Sequence, residues 1–532
     1  MTTPVQAMFW QVWRAWRWGL SGSVSYLLLA ALVARLLPDI LRRTTGGEAF
    51  LPHLGTQLAL PCIFIAVHLA AVFSLTGGDL KERGYWKTMF VLPVPTRTLV
   101  AWPMIWGSLA VGGVWLFLAL FVLWPTGNPV ALVWPIAALA AGLTLMQAHS
   151  WLPVTPYWLS IVLAVPSLLL VAMIVALVAI FQVPEPIAVG VFLALLPLTY
   201  AACLHSVAMA RRGDALDWRA WHRLMAWANN VRKPADHPFA SAARAQLWFE
   251  CRSFAWLLPL AIGMLIPFFT FVMVLEFRQD TGAMAKPLAT LLLLPAMLAA
   301  MFGFQCGHAS FPFLATRPIS SAALVRSKFE MALVSTLVAY LPILLLVLVF
   351  FARPSYLHAA LEAARQIGVP KAMTVLLLAV ALPPLLTWKG LVEGLWIGLT
   401  GRAWMGHVFA FGIAVIFGCV TLAGLWIAFH PEWHAWLWSL APWLVGLLLA
   451  AKLILAVWVL IALVRWRLVR LTTAGMMVGS WSLIILALCL TAVWLFPPEQ
   501  VPVRSLLAGT ILAIPFSRVA AAPLALDWNR HR

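Results

Sequence analysis

Charged residues are scarce in this sequence, and their scarcity excludes most classes of soluble protein. Only 10% of the 532 residues are Asp, Glu, Lys or Arg, whereas 64% are hydrophobic. Soluble globular domains carry about 25% charged and about 45–50% apolar residues. We therefore predict an integral membrane protein.

Cysteines are few and widely spaced, which argues against a cysteine-based metal site. No C-x-x-C pair occurs, and each cysteine lies in or beside an apolar segment, so we predict small core side chains. The histidines are scattered as well, and we predict no metal site. The six cysteines are Cys62, Cys203, Cys251, Cys306, Cys419 and Cys489.

A phosphate-binding loop is also missing. No G-x-x-x-x-G-K-[ST] stretch occurs, so the chain lacks the glycine-rich loop that holds nucleotide phosphates at a helix N-terminus. We predict that the chain is not an enzyme and binds no cofactor itself.

Long apolar runs fill the sequence instead. Runs of about 20 apolar residues cross a bilayer core of ~30 Å as helices, and they recur along the whole chain. We predict an all-α polytopic membrane protein with about 14 transmembrane helices. The predicted spans cover approximately residues 20–40, 54–76, 99–124, 130–147, 158–182, 187–210, 254–276, 288–308, 329–352, 373–400, 405–429, 435–464, 475–497 and 503–524.

The distribution of basic residues predicts the orientation. Most of the 35 Lys and Arg residues fall on one side if the N-terminus is cytoplasmic, as the positive-inside rule requires. We predict that both termini are cytoplasmic. The net charge of +18 then faces anionic membrane lipid, and nucleic acid is not a predicted partner.

The segment before the first span is both basic and aromatic. Trp10, Trp13, Arg14, Trp16 and Arg17 match the residues that prefer the headgroup region. We therefore predict an interfacial amphipathic helix that leads into the first span, rather than a cleaved signal peptide.

Two short polar stretches recur at an offset of 225 residues, "VLPVPTRTLV" at 91–100 and "TRPISSAALV" at 316–325. Each is predicted to follow the second span of its half on the cytoplasmic side. Their prolines favour extended backbone, and we predict that Thr96 and Ser321 cap helices that begin near Leu99 and Leu324. Nearby basic residues, Lys328 among them, are predicted to hold the second stretch at the membrane surface or to contact an acidic partner.

The duplication extends beyond these stretches. Each half begins with an aromatic and basic segment, "FWQVWRAWRW" or "RAQLWFECRSFAW", directly before its first span. We predict two six-helix units in tandem with two further C-terminal helices. The predicted boundaries are 1–210 for the first unit, 211–253 for a cytoplasmic linker with a second interfacial helix, 254–465 for the second unit and 466–532 for the additional spans.

This arrangement resembles the permease subunits of type-2 ATP-binding cassette (ABC) exporters. In that family, an interfacial elbow helix precedes the first span, and an "LP-x-[ST]-x-x-x-L" loop docks on the ATPase. The nearest stretches here depart from that pattern, because Pro95 replaces the expected hydroxyl and Arg317 replaces the leucine. The residues that the resemblance implies in coupling are Pro93, Val94, Pro95, Thr96 and Arg97, and Pro318, Ile319, Ser320, Ser321 and Arg326.

The resemblance also implies a function and partners. It implies the membrane-spanning component of an ATP-driven exporter in the bacterial inner membrane, with two separate ABC ATPase subunits per chain. ATP and Mg²⁺ would bind to those subunits, and membrane lipid would surround the permease.

Two alternatives remain open. Lys389 and Glu393 lie four residues apart on one face of the tenth predicted span, and Lys452 lies in the twelfth. Intramembrane charges often mark transport paths, which would indicate an ion-coupled secondary transporter, although a structural pair is also compatible with this spacing. A polytopic lipid-linked sugar transferase is a lesser alternative, because the first outer loop has few acidic residues.

The duplicated topology can be tested by labelling. Single cysteines introduced next to Thr96 and next to Ser321, in a chain without its own cysteines, should react with an impermeant maleimide from the same cytoplasmic side. Intact cells and inverted vesicles distinguish the two sides. Labelling from opposite sides of the membrane would show that the two stretches are not equivalent.

Overall fold

A computed structural model describes most of the chain. The described residues are 4–41, 47–74, 93–153, 158–214, 239–277, 285–308, 319–351, 354–401, 432–496 and 501–530, with the single positions 85, 89, 90, 223, 405 and 412.

All regular structure in the described residues is helical, as the apolar runs predict. The chain divides into two compact units, Met1–Lys233 with His407–His434 and Pro234–Gly406 with Ala435–Arg532. The helices of the first unit are α1 (Pro4–Leu41), α2 (Gly47–Phe73), α3 (Thr96–Leu118, continued by a π-helical turn at Ala119–Leu123), α4 (Val133–Trp151), α5 (Trp158–Ile180) and α6 (Glu185–Arg212).

The second unit contains the remaining helices. They are α7 (Ala242–Ser253), α8 (Leu257–Phe277), α9 (Ala285–His308), α10 (Ser321–Phe351), α11 (Pro354–Ile367), α12 (Val369–Leu399), α13 (Glu432–Arg465, almost entirely in this unit), α14 (Leu471–Leu495), α15 (Val501–Gly509) and α16 (Phe516–Arg530). A 3-10 turn at Thr510–Ala513 follows α15.

Nine helical segments of the described residues are long and apolar enough to cross a membrane. They agree with nine of the predicted spans, so the chain is an all-helical membrane protein. The nine segments are Gly19–Pro38, Thr96–Leu123, Glu185–Arg212, Ala242–Pro267, Ser321–Val349, Val369–Leu399, Trp438–Arg465, Leu471–Leu495 and Val503–Asn529.

The other five predicted spans have a different standing. Those at 158–182 and 288–308 correspond to shorter apolar helices, Pro166–Ile180 and Thr290–Phe304. The spans at 54–76 and 130–147 coincide with α2 and α4, which are not among the nine. The span at 405–429 lies almost entirely outside the described residues, so the count of about 14 stays a prediction.

The segment before the first span is not a separate helix in the structure. Helix α1 continues without interruption over 38 residues, so the tryptophan-rich start and the first apolar run form one rod. In the second unit, by contrast, a turn at residues 254–256 separates α7 from α8. Only the second unit therefore has a distinct short helix before its first long apolar helix.

Glycines allow α9 and α12 to approach closely. Gly303 and Gly307 of α9 and Gly390 and Gly394 of α12 lie in the contact, in each case four residues apart. Spacing of small residues by four places them on one face, which lets helix backbones meet within a membrane. A Cβ atom on Gly394 would clash with the carbonyl oxygen of Ala300.

The last apolar segment, Val503–Asn529, is interrupted in the middle. After α15 and the 3-10 turn, Ile514 adopts an extended conformation with φ −74° and ψ 123°. Helix α16 then begins at Phe516, whose ring packs 4.9 Å from that of Trp481. The chain therefore exposes main-chain polar groups within this segment, and other residues must satisfy them.

The glycine contact predicts a position-specific loss of stability. Gly394→Ala should destabilise the protein by about 1–3 kcal/mol, because the added methyl group overpacks a backbone contact. The control is Gly475→Ala in α14, where the added Cβ meets open space. Thermal unfolding in detergent measures both variants. Equal melting temperatures for Gly394→Ala and the parent protein would contradict the close packing.

Candidate functional site

The first polar stretch leads directly into α3. The prediction that Thr96 caps a helix starting near Leu99 is wrong, because α3 begins at Thr96 and Pro95 is its N-cap residue. No side chain caps this helix start. The fixed φ of Pro95, −65°, lets the chain turn into the helix without a hydroxyl cap.

Arg211 holds the stretch against the end of α6. Its guanidinium donates to the carbonyl oxygen of Val94 at 2.9 Å and to the hydroxyl of Thr96 at 3.3 Å. Val94 is buried, whereas Pro93 and Pro95 are exposed. The stretch is therefore anchored through its main chain while its two proline rings face outward.

Tyr85 supports the same helix start from the preceding segment. Its hydroxyl donates to the carbonyl oxygen of Leu99 at 2.6 Å, and its ring stacks on Phe90 with the centroids 5.5 Å apart. Burial raises the pKa of the Tyr85 phenol above its ordinary value, so the hydroxyl stays protonated and can donate.

A cavity of about 370 Å³ opens beside the first two turns of α3. Exposed Arg97 lies at its polar end, and Trp106 lies two turns deeper. The lining residues are Arg97, Thr98, Ala101, Trp102, Ile105, Trp106 and Tyr200.

The second polar stretch starts its helix at the equivalent position. Helix α10 begins at Ser321, 225 residues after the start of α3. The predicted cap at Ser321, for a helix starting near Leu324, is also wrong. Ser320 takes that role, because its hydroxyl accepts a hydrogen bond from the main-chain N–H of Ala323 at 3.3 Å. Pro318 lies outside the described residues.

The exposed and buried positions around this start separate clearly. Ser320 and Arg326 are exposed, and Arg326 pairs with Glu330 at 2.7 Å. Ile319 packs against a buried cluster in which Leu324 contributes from α10. The buried members of this cluster are Leu324, Val325, Leu399, Ala522, Ala525 and Leu526, so α16 supports the second stretch.

Lys328 does not lie at the membrane surface as predicted. Its side chain is 1% exposed, and its ammonium group lies 3.0 Å from a carboxylate oxygen of Glu250, which is 0% exposed. Lys328 also donates to the carbonyl oxygen of Cys306 at 3.0 Å, and Gln246 donates to Glu250 at 2.9 Å. This buried network joins α7 to α10, one turn beyond Leu324.

Sequence reasoning missed this pair, although a signal was present. Glu250 is the lone acidic residue of "RAQLWFECRSFAW", and Lys328 lies near the start of an apolar helix. A charge that cannot reach water needs a partner. The two isolated charges of opposite sign in one half therefore favoured a pair.

The intramembrane charges come together in the second unit. Lys389 and Glu393 pair at 3.1 Å on α12. Lys452 of α13 donates to the carbonyl oxygen of Leu512, in the 3-10 turn before α16. Lys389, Glu393 and Arg518 all lie close enough to Lys452 to influence its charge electrostatically. Sequence reasoning singled out the first three charges but missed Arg518.

Comparisons with known proteins leave the family open. No family model matches the chain, and searches of curated proteins and of solved structures find no match. In the part of the chain that the structure describes, no three His, Cys, Asp or Glu side chains are grouped in a way that could hold a metal ion. Function must therefore be inferred from the two helix starts and the intramembrane charges.

The buried pair predicts a non-additive effect on stability. Glu250→Gln or Lys328→Met alone should cost about 3–5 kcal/mol, because each leaves a buried charge without its counterion. The double variant should recover most of that loss, since no uncompensated charge remains. Unfolding of the four proteins in detergent forms a double-mutant cycle. Additive losses would show that the two side chains do not interact.

Proposed function

We propose that this chain is the membrane-spanning permease component of an ATP-driven ABC exporter, with energy supplied by a separate ATPase. The observation that carries this proposal is the pair of equivalent helix starts at Thr96 and Ser321, 225 residues apart. Each start presents exposed residues next to a buried apolar anchor. Such an element can accept a partner on one side and move a long helix on the other.

The exposed residues form the proposed docking surfaces. Arg97 in the first copy and Arg326 in the second add positive charge to them, which suits an acidic face of a partner. The full set remains Pro93, Val94, Pro95, Thr96 and Arg97, with Pro318, Ile319, Ser320, Ser321 and Arg326, and two ATPase subunits would dock per chain.

The buried residues form the proposed transmission. Val94 and Leu99 belong to the core that α3 shares with α4 and α6. Leu324 and Val325 pack against α16. Because packed helices move as rigid bodies, displacement of either stretch would move the attached helix.

The mechanism requires the ATPase to bind two permease states unequally. Closure of the ATPase subunits on ATP would displace both stretches and favour an outward-open state. Shifting a population from 1:99 to 99:1 requires about 5.5 kcal/mol of differential binding. The chain has no phosphate-binding loop of its own, so ATP and Mg²⁺ would bind to the partner.

The setting is part of the same proposal. We place the protein in the bacterial inner membrane with both termini cytoplasmic, on the distribution of Lys and Arg. That orientation puts both stretches on the side where ATP is present.

Ion-coupled secondary transport is the second candidate. It is favoured by the convergence of Lys452 with the Lys389–Glu393 pair at an interrupted helix. Interrupted helices in membrane transporters expose main-chain groups and dipole ends that bind ions. In this case an ion gradient would replace the ATPase.

Charge reversal on the docking surfaces tests the main proposal. The double variant Arg97→Glu and Arg326→Glu should lower co-purification of a nucleotide-binding subunit by about tenfold, because like charges would then face each other. Cross-linked membranes, with mass spectrometry of the captured ATPase, provide the measurement. Insertion and detergent stability should stay unchanged, since both side chains are exposed.

Arg365→Glu is the matched control, because Arg365 is also exposed but lies on α11, in the predicted outer loop. It should leave ATPase association at the parent level. If the double variant retains its partner and transports normally, the stretches are connectors. Transport that follows an ion gradient in proteoliposomes without any ATPase would favour the second candidate.

A further inference from the structure

Positive charge collects at the interruption before α16. Lys389 of α12, Lys452 of α13 and Arg518 of α16 surround this point, and Glu393 is the one carboxylate among the described residues that acts on Lys452. Three cations against one anion leave a surplus of positive charge. Within a membrane such a surplus is unfavourable unless an anion compensates it.

Lys452 lies far from either membrane surface. It occupies the middle of the 28-residue segment Trp438–Arg465, so its side chain is too deep for simple extension to the headgroups. Its ammonium group donates to the carbonyl oxygen of Leu512 and lies 5.7 Å from the ring of Phe516. An ammonium group has three protons to donate, so two remain for a ligand.

The first turn of α16 adds further donors. The positive end of the helix dipole and the unpaired N–H groups of the first turn favour an anion here. Ser517 is buried, with 9% exposed, and its hydroxyl makes no hydrogen bond within the part of the chain that the structure describes. The guanidinium of Arg518 stacks on Trp396, 4.4 Å from the ring centroid, which fixes its plane.

We propose that this cluster is an anion-binding site whose ligand carries a phosphate group. The surplus positive charge would repel metal cations and favour an anion. The planar guanidinium, the ammonium group and the helix N-terminus are the donors that bind phosphate oxygens in proteins. The site belongs to the second unit alone and does not depend on which energy source drives transport.

Direct binding measurements test the site on the full chain in an uncharged detergent. The probes are inorganic phosphate and dioctanoyl phosphatidic acid, and dioctanoylglycerol is the matched lipid without the phosphate. The parent protein should bind at least one phosphate probe and not dioctanoylglycerol. Binding of both probes identifies a site open to soluble phosphate, whereas binding of phosphatidic acid alone identifies a lipid headgroup site.

The variants should shift affinity in opposite directions. Lys452→Met and Arg518→Gln should each raise Kd by about tenfold, because each removes a cationic donor. Glu393→Gln should lower Kd several-fold, because it removes the one repelling carboxylate. Arg465→Gln changes the charge of the same helix α13 at its exposed end and should leave Kd unchanged.

Lys452→Arg controls for folding, since it keeps the charge and should still bind. The proposal is overturned if the parent binds neither phosphate probe. It is also overturned if Glu393→Gln weakens binding as the cation variants do, because the cluster would then be a structural network and not a site selective for anions.

Discussion

The lack of water in the bilayer core is the constraint on which this structure depends. A main-chain group or a charge that enters hydrocarbon must find its partner within the protein, so the described elements are helices. The polar side chains that enter follow the same rule. Gln147 donates to the carbonyl oxygens of Phe73 and Pro103, and Tyr340 donates to that of Leu292. Each such bond joins two helices that apolar contacts alone would leave free to slide.

The same constraint shapes the two helix starts differently. In the first unit, the positive charge of Arg211 is directed to main-chain and hydroxyl oxygens at the membrane surface. In the second unit, Lys328 is fully buried and requires the full charge of Glu250. The first arrangement stabilises modestly and remains open to solvent, whereas the second strongly penalises separation of α7 from α10.

Helix α16 links the two features of the second unit that carry functional meaning. Its first turn lies beside Lys452, and Ala522, Ala525 and Leu526 further along pack against Leu324 and Val325 at the start of α10. One rigid helix therefore touches both the intramembrane charges and the second polar stretch. An interruption directly before that helix gives its N-terminus freedom that a continuous span would lack.

Composition and pattern were sufficient to predict the membrane class, the helical fold and the equivalence of residues 96 and 321, because these depend on local hydrophobicity and on repeated residue types. The pairing of Lys328 with Glu250, the approach of Arg518 to Lys452 and the interruption at Ile514 could not be predicted in the same way. They join residues far apart in the chain, and a lysine in an apolar run has the same sequence context whether it reaches the surface or is buried. Even the helix starts moved three residues from their predicted positions, because Pro95 and Ser320 begin the helices without help from Thr96 and Ser321. Only tertiary packing decides which buried charges meet, since the free energy of burying a charge depends on the partner that the fold brings to it.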